Sequence, residues 1–422
     1  MHHLIIGAGP AAVNAAEHLR KYNPNSQITM LAAEDVPPYS RMALPYFLVG
    51  DIGAEGTFLR KGASHFADHG IDVKHARASG VDTANKRVKI LGSDELSYDK
   101  LLIATGATAV KPPIPGIDLD GVHNCWSLAD AHKIIEKAAP GSKVILMGAG
   151  FIGCIILEAL AARKVDLTVV EMESRMVSRM TNETMGGMIK DWCVKEGIDV
   201  LTSTKIEEIG PGSTTALSAK TNTGQTLDAD LIICATGVRS NTAFLDGSGI
   251  TVDMGIVVDD FMQTSVADVY AAGDVAQGKD LSTGDYYVQA IQPTAVEHGK
   301  LAAHSMAFGH KNPTPGNVNM NVLDTVGLIS TSFGLWMGVE GGEESELVDK
   351  ERFRYINLQF KDDVLVGASS LGMTQHVGVM RGLIQTATPL GEWKEKLLED
   401  PMRLSEAYLA GAQSQHQPLE YS

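Results

Sequence analysis

The sequence predicts an α/β protein in which one strand–turn–helix unit occurs twice and an α+β region follows. The two glycine turns are GAGPAA at 7–12 and GAGFIG at 148–153; each follows a short apolar run and precedes a helical pattern. In such units the first glycine makes the turn, the second lets a pyrophosphate approach the backbone, and the third position keeps helix and strand close. Two copies in this context predict two Rossmann-like dinucleotide-binding domains. Two purely structural turns are the alternative.

The acidic residue expected about 20 residues beyond each turn distinguishes the two units. After the second turn, Glu171 ends the apolar strand 166–170, where a carboxylate can accept hydrogen bonds from a ribose diol and repel a 2′-phosphate. The second unit is therefore predicted to prefer NADH to NADPH. After the first turn the equivalent position is Ala32, and Glu34 is the candidate for the ribose. The alternative for Glu171 is a solvated charge at a strand end.

Six short motifs are spread over the first 274 residues: GAGPAA at 7–12, PYSR at 38–41, ATG at 104–106, GAGFIG at 148–153, ATG at 235–237 and YAAGD at 270–274. Together they resemble the FAD-dependent pyridine-nucleotide oxidoreductases. The resemblance is to the branch of ferredoxin and rubredoxin reductases and the flavin segment of NADH-dependent nitrite reductases. It covers residues 1 to about 310 and continues more weakly to about 390.

This resemblance implies that the chain binds FAD and NADH. In the family, the aspartate of YAAGD contacts the flavin ribityl chain and an arginine closes over the FAD; these positions are Asp274 and Arg41. An ordinary surface charge is the alternative for Arg41. The residues expected at the two cofactors are Gly7, Gly9, Pro10, Ala11, Glu34, Arg41, Ala104, Thr105, Gly106, Gly148, Gly150, Phe151, Ile152, Gly153, Glu171, Thr236, Gly237, Gly273 and Asp274. No metal site is expected.

The motifs predict a chain that leaves the FAD-binding domain and later returns to it. Residues 1–108 are the first FAD-binding segment, 109–240 the NAD-binding domain and 241–318 the second FAD-binding segment. Residues 319–412 are expected to form a C-terminal interface domain, and 413–422 a disordered tail. Such interface domains pair subunits or dock redox partners in this superfamily, so a homodimer is one candidate assembly.

Two regions outside the glycine motifs also have informative patterns. The alternating strand 355–360, a turn and the strand 364–368 predict a hairpin, which the helix 377–384 follows. The predicted helix 293–306 contains His298. In the family this region lies near the flavin ring, and a position on the helix surface is the alternative.

Composition favours a cytoplasmic protein of several globular domains. At 422 residues the chain is too long for one core, and its 44 % hydrophobic and 20 % charged residues are globular values. Its four cysteines include no CxxC pair, which suggests a reducing compartment. A net charge of −16 argues against binding to nucleic acid or an anionic membrane. Neither a targeting peptide nor a membrane span is expected.

The sequence lacks the thiols on which related reductases depend. Disulfide reductases of the superfamily carry CxxxxC on the first long helix of the FAD domain. Peroxide, oxygen and coenzyme A disulfide reductases carry one cysteine just before LPY. Here LPY occupies 44–46 and Met42 takes that position, where a thioether cannot ionise to a thiolate. Ferredoxin-type reductases also pair a lysine and a glutamate beside the flavin. In this chain both positions are uncharged, because they hold Tyr46 and Ile155, so the ion pair is absent.

These observations predict an FAD-dependent NADH oxidoreductase. NADH would deliver a hydride to flavin N5, and electrons would pass to or from a small ferredoxin- or rubredoxin-like protein. No catalytic side chain is expected, because hydride transfer between two cofactor rings needs no acid or base. Two alternatives stay open: an NADH-dependent disulfide, persulfide or oxygen reductase, and a flavin-bound NADH sensor. The sequence identifies neither the carrier nor the direction of electron flow.

Overall fold

The computed structural model of the chain describes residues 1–414. The strands are β1 (His2–Ile6), β2 (Gln27–Ala32), β3 (Ile71–His75), β4 (Ala78–Asp82), β5 (Arg87–Ile90), β6 (Leu96–Ser97), β7 (Lys100–Ile103), β8 (Ala107–Ala109), β9 (Val122–Asn124), β10 (Lys143–Met147), β11 (Asp166–Val170), β12 (Asp199–Leu201), β13 (Ile206–Pro211), β14 (Leu217–Thr221), β15 (Thr226–Ala229), β16 (Leu231–Cys234), β17 (Val238–Ser240), β18 (Ile256–Val257), β19 (Val269–Ala271), β20 (Ala276–Lys279), β21 (Tyr286–Tyr287), β22 (Met320–Thr325), β23 (Leu328–Gly334), β24 (Glu343–Asp349), β25 (Arg354–Lys361) and β26 (Val364–Leu371). The α-helices are α1 (Pro10–Tyr22), α2 (Leu44–Val49), α3 (His65–Asp68), α4 (Leu128–Lys137), α5 (Phe151–Ala162), α6 (Glu183–Lys195), α7 (Gln292–Phe308), α8 (Val377–Thr386), α9 (Trp393–Glu399) and α10 (Leu404–Ser414).

The chain divides into two compact units. Unit 1 consists of Met1–Ala109, Trp126–Leu128 and Val238–Asn317. Unit 2 consists of Val110–Cys125, Ala129–Gly237 and the chain from Val318 onward. The chain therefore leaves unit 1, returns to it after the second glycine motif, and ends in unit 2.

Unit 1 is built around a parallel sheet in the order β19-β7-β1-β2-β3. The chain order reverses between β1 and β7, and the carboxyl ends of strands at such a switch point form the crevice in which open α/β sheets bind ligands. Helix α1 packs against α7, where Gly299 permits close approach because a Cβ there would lie 2.3 Å from the Ala11 carbonyl oxygen. Fully buried residues such as Leu4, Leu19 and Leu102 fill the core around them.

Unit 2 begins with a second parallel sheet, in the order β12-β11-β10-β16-β9. Strand β10 pairs with β11 on one side and with β16 on the other, so the switch point lies between β10 and β16. The small antiparallel sheet β13-β14-β15 shares a core with this one that includes Ile145, Ile209 and Ile232.

The C-terminal part of unit 2 is an antiparallel sheet in the order β22-β23-β26-β25-β24. Strands β25 and β26 form the predicted hairpin, and α8 follows it as expected. Helix α8 packs on β23 and β26, α9 packs on β24, and β22 contacts α5 of the same unit. This arrangement confirms the predicted fold class, with two Rossmann-like sheets and an α+β region.

Some predictions fall outside these observations. The segment boundaries at 108, 240 and 318 stay predictions. Most of the predicted disordered tail, residues 415–422, lies outside the described residues, and Ser414 ends α10. Between residues 1 and 414, no helix is long and apolar enough to cross a membrane.

Candidate cofactor-binding sites

The first glycine turn joins β1 to α1 at the carboxyl edge of the sheet in unit 1. Gly7 has φ +125°, and a Cβ there would lie 2.1 Å from the Ala104 carbonyl oxygen, so only glycine fits. At Gly9, by contrast, a Cβ would meet no atom within 4 Å. Pro10 then begins α1. The turn is tight against the protein and open beside a helix N-terminus, which fits the pyrophosphate of a dinucleotide.

Arg41 belongs to a cluster of side chains in unit 1 that includes Glu34, which lies just after β2. Its Nη2 donates to Glu34 Oε1 at 2.8 Å, and the Tyr39 hydroxyl donates to Glu34 Oε2 at 2.7 Å. Its Nη1 donates to the Trp126 carbonyl at 2.5 Å, and the guanidinium carbon lies 5.3 Å from the centre of the Trp126 ring. Burial raises the pKa of Tyr39. The Arg41 side chain is 38 % exposed, so its role at the FAD stays a prediction beside the alternative of a surface charge. Tyr39 and Trp126 are members of this cluster that the sequence motifs do not identify.

Asp274 follows β19 in the turn YAAGD. The preceding Gly273 has φ +77°, and a Cβ there would lie 3.2 Å from the Ala11 Cβ, so this turn lies against the start of α1. Burial raises the pKa of Asp274, and the positive charge of Arg41 opposes that shift. The Asp274 backbone N–H also hydrogen-bonds this carboxylate. Each carboxylate oxygen has two lone pairs, so this carboxylate can also accept a hydrogen bond from a ligand hydroxyl.

The first ATG string, Ala104 to Gly106, continues from β7. The Thr105 hydroxyl donates to the Asn241 carbonyl at 3.0 Å, and Asn241 Nδ2 donates to the Thr105 carbonyl at 2.9 Å. Gly106 has φ +64°, and a Cβ there would meet nothing within 4 Å. Asn241 thus fixes the string while one side of it stays open. The sequence motifs identify residue 241 only as the first residue of the second FAD-binding segment.

The second glycine turn joins β10 to α5 and repeats the geometry of the first. Gly148 has φ +98°, and a Cβ there would lie 2.5 Å from the Ala235 carbonyl oxygen. A Cβ on Gly153 would lie 2.1 Å from the Gly148 carbonyl oxygen, whereas one on Gly150 would meet nothing within 4 Å. The tight and open sides of this turn again fit a pyrophosphate at a helix N-terminus.

Four further predicted residues surround the second turn. Phe151 and Ile152 begin α5, and both are partly exposed. The Thr236 hydroxyl donates to the Val110 carbonyl at 2.8 Å, which ties the second ATG string to a segment that enters unit 2. Gly237 has φ +118° and open space around its Cβ position.

Glu171 is a buried residue of unit 2, at 7 % exposure. Its Oε2 accepts the Ala149 N–H at 2.6 Å, and its Oε1 accepts the Glu173 N–H at 2.8 Å. A solvated charge at a strand end is therefore the wrong description. The carboxylate braces the glycine turn, and each of its oxygens keeps a second lone pair for a ribose hydroxyl.

All four cysteines are free and buried. Burial raises the pKa of Cys125 and Cys193 to about 12, that of Cys234 to about 11, and that of Cys154 well above its usual value. Since the thiolate is the reactive form, none of these residues is placed to act as a nucleophile. Cys154 is a small buried residue of α5.

His298 in α7 is 3 % exposed, so its predicted alternative, a position on the helix surface, is wrong. Asn317 Nδ2 donates to Glu297 Oε2 at 2.5 Å, which directs its Oδ1 to His298 Nε2 at 3.0 Å. His298 Nε2 is therefore the donor, and Nδ1 has no hydrogen-bond partner in the described chain. Burial lowers the pKa of His298 to about 4, so the ring is neutral near pH 7.

Comparison with known proteins agrees with this geometry. The rhodocoxin reductase of Rhodococcus erythropolis is 32 % identical over 275 residues, covering 65 % of this chain and 64 % of that protein. The NADH-dependent phenylglyoxylate dehydrogenase subunit epsilon of Aromatoleum evansii is 32 % identical over 406 residues, covering 95 % of each chain.

A solved structure and a family model complete the comparison. The NAD-dependent persulfide reductase from A. fulgidus superposes with a TM-score of 0.84 at 27 % identity, covering 93 % of this chain and 78 % of that one. The model of the pyridine nucleotide-disulphide oxidoreductases matches residues 1–299. The predicted resemblance and both predicted cofactors are thus confirmed: the chain belongs to the pyridine nucleotide-disulphide oxidoreductase family and is an oxidoreductase that uses NADH and FAD.

Proposed function

We propose that this enzyme passes electrons between NADH and a small electron-transfer protein of the ferredoxin or rubredoxin type. The observation that carries the proposal is the burial of all four cysteines, whose pKa values burial raises. Without a thiolate to relay electrons, a reduced flavin must pass them directly to an external acceptor. The similarity to rhodocoxin reductase favours a protein as that acceptor.

In this proposal, unit 1 holds the FAD. Gly9 faces the pyrophosphate, Glu34 accepts from the adenosine ribose, and Asp274 accepts from the ribityl chain. Arg41 is already oriented by Glu34 and Trp126, so it can cover the cofactor at little entropic cost. Bound FAD would supply a hydride acceptor and a donor of single electrons. These residues bind and orient, and none has to move a proton.

Unit 2 is proposed to hold NADH. The open side of Gly150 faces the pyrophosphate, and Glu171 accepts from the ribose diol. The Glu171 carboxylate is fixed by two backbone N–H groups at 2.6 and 2.8 Å, so it cannot easily turn away from a 2′-phosphate. Repulsion between these two anionic groups would make the enzyme prefer NADH to NADPH.

We further propose a cytoplasmic location and a homodimer. Four unpaired cysteines are typical of a reducing compartment. The C-terminal sheet, with α8, α9 and α10, is proposed to be the part that pairs subunits or receives the redox partner.

A second candidate is that the chain is one subunit of a larger NAD-linked oxidoreductase. The observation that favours it is the match to subunit epsilon of phenylglyoxylate dehydrogenase, which extends over 95 % of both chains. In such an assembly the carrier would be another subunit. Electrons could then also flow toward NAD⁺.

The test compares acceptors for the NADH-reduced, FAD-loaded protein. Rates of NADH oxidation are measured with a one-electron dye, a rubredoxin, a ferredoxin, oxygen and a persulfide. We expect fast turnover with the dye and with at least one of the two carrier proteins. Faster turnover with oxygen or a persulfide than with either carrier would overturn the proposal in favour of a reductase of those substrates. Slow turnover with every acceptor would favour a sensor.

A matched comparison separates the free enzyme from a subunit. The protein is purified under its own promoter from its native cells, with FAD fluorescence as the tracer. A single polypeptide with carrier-reducing activity supports the first candidate. Co-purification with an iron–sulfur subunit, with activity only in the assembly, supports the second.

A further inference from the structure

Ala149, the middle residue of the second glycine turn, is held at both ends of its backbone. Its N–H donates to Glu171 Oε2 at 2.6 Å. Its carbonyl oxygen accepts the Val177 N–H at 2.8 Å and the Cys154 thiol at 3.5 Å. Ala149 itself is fully buried. The orientation of this part of the turn is therefore set by groups outside the turn.

Val177 makes its contact from an unfavourable conformation. Its φ is +52°, in the left-handed region, and its side chain is only 2 % exposed. A β-branched residue reaches this region only at a cost in free energy. Such a conformation persists where the surrounding structure imposes it, and it is found most often at binding and catalytic sites.

The surroundings of Val177 explain how the conformation is imposed. The Thr181 hydroxyl lies 3.0 Å from the Val177 carbonyl oxygen and 2.9 Å from that of Met176. The Met180 N–H also donates to the Val177 carbonyl, at 2.8 Å. Gly186 in α6 leaves room for the loop, because a Cβ there would lie 2.8 Å from the Met176 carbonyl oxygen. The loop is thus folded on itself and pressed against α6, with one N–H directed to Ala149.

We propose that Val177 is a positioning residue for NADH, which holds the second glycine turn in the shape that accepts the pyrophosphate. This inference rests on the proposed placement of NADH at that turn. If the hydrogen bond from the Val177 N–H to Ala149 is removed, binding of NADH must also order the turn, so the affinity for NADH falls. The step after binding is unaffected, because Val177 is directed to Ala149 and not to a reacting atom. The expected signature is a higher KM for NADH at an unchanged kcat.

The experiment compares two substitutions at one position. Val177→Pro removes the N–H and imposes φ near −65°; we expect the KM for NADH to rise about tenfold while kcat at saturation stays within about threefold. Val177→Gly keeps the N–H, tolerates positive φ and buries no polar group; we expect a KM within about twofold of the parent. FAD content is measured for each variant and should not change.

Val326 provides a matched control. It is also a valine of unit 2 with positive φ, +53°, but it lies in the turn between β22 and β23. Val326→Pro should lower Tm and leave the KM for NADH unchanged. If it raises the KM as much as Val177→Pro does, the effect is one of general destabilisation and the proposal fails.

A second variant keeps the proposal testable if Val177→Pro does not fold. Thr181→Val preserves shape and removes the hydroxyl that holds the loop, so the KM for NADH should rise about three- to tenfold. An unchanged KM in this variant, or a KM that Val177→Gly raises as much as Val177→Pro does, would overturn the role of Val177. Glu171→Gln is measured in parallel. If it raises the KM while the loop variants do not, only the present inference fails, whereas no effect from either would refute the placement of NADH itself.

Discussion

Glu171→Gln is the sharpest perturbation of the proposed NADH site, because it removes one charge and keeps the size of the side chain. In the parent, the two carboxylate oxygens accept the N–H groups of Ala149 and Glu173 at 2.6 and 2.8 Å. An amide keeps one acceptor oxygen and replaces the other with a donor. One backbone N–H in this 7 % exposed environment then loses its partner. Such a loss costs about 1–3 kcal/mol, and the free energy of unfolding should fall by about that amount.

The effect on nucleotide binding is separate from the effect on stability. A hydrogen bond to a charged group contributes about 1.5–3 kcal/mol, so kcat/KM for NADH should fall roughly 10- to 100-fold. For NADPH the removal of the charge also removes the repulsion of the 2′-phosphate. Its kcat/KM should therefore stay constant or rise, and the NADH/NADPH preference should shrink by at least about tenfold.

Stopped-flow bleaching of the FAD absorbance by each nucleotide measures these rates, and thermal unfolding measures the stability. The parent should bleach faster with NADH than with NADPH. Glu173→Gln is the control, since it removes the same charge from an exposed side chain two residues away. If Glu171→Gln lowers the stability yet leaves the NADH/NADPH ratio at the parental value, then Glu171 only braces the loop and the assignment of the ribose is wrong.

Three further predictions follow from the thiols, the net charge and His298. Replacing all four cysteines with alanine should leave NADH-to-dye turnover within about tenfold of the parent, a barrier change of about 1.4 kcal/mol; a larger loss in a folded, FAD-loaded variant would restore a thiol mechanism. Because the chain carries a net charge of −16, an acidic ferredoxin can dock only through a local basic patch. Its reduction should then slow as ionic strength rises, and a rate that climbs with salt would exclude it as the partner. His298 has a folded pKa lowered to about 4 by burial, so the folded state binds fewer protons than the unfolded state below about pH 6.5. The free energy of unfolding should therefore decrease as the pH is lowered from 6.5 to 4. In urea unfolding, His298→Gln should make this decrease smaller by about 3 kcal/mol. An identical pH profile for parent and variant would contradict the buried neutral ring.

The fold class and the two glycine turns could be predicted because each depends on a residue type that no other can replace. At Gly7 and Gly148 the chain passes so close to a neighbouring strand that a Cβ would overlap a carbonyl oxygen at 2.1 or 2.5 Å. Such a constraint is written in the sequence as glycine at a fixed spacing. The hairpin of β25 and β26 was predictable for a similar reason, because strand alternation and a polar turn are local signals.

Other parts of the candidate sites depend on contacts between residues far apart in the sequence, which leave no local signal. Asn241 gains its role only when β7 and the returning segment meet, and the Trp126 carbonyl gains its role only beside Arg41.

Val177 is the clearest case, because propensity alone would place a valine in extended backbone, whereas Thr181 and Gly186 force it to a φ of +52°. A residue whose conformation contradicts its own preference stores free energy that the rest of the fold must supply. Substitution by glycine, which accepts this conformation, should therefore keep the geometry at Ala149 and the KM for NADH, although loss of the buried side chain lowers the free energy of unfolding. A KM for NADH that proline raises and glycine preserves at Val177, but that proline at Val326 leaves unchanged, distinguishes a positioning residue from an ordinary loop residue, and no pattern in the sequence gives that distinction.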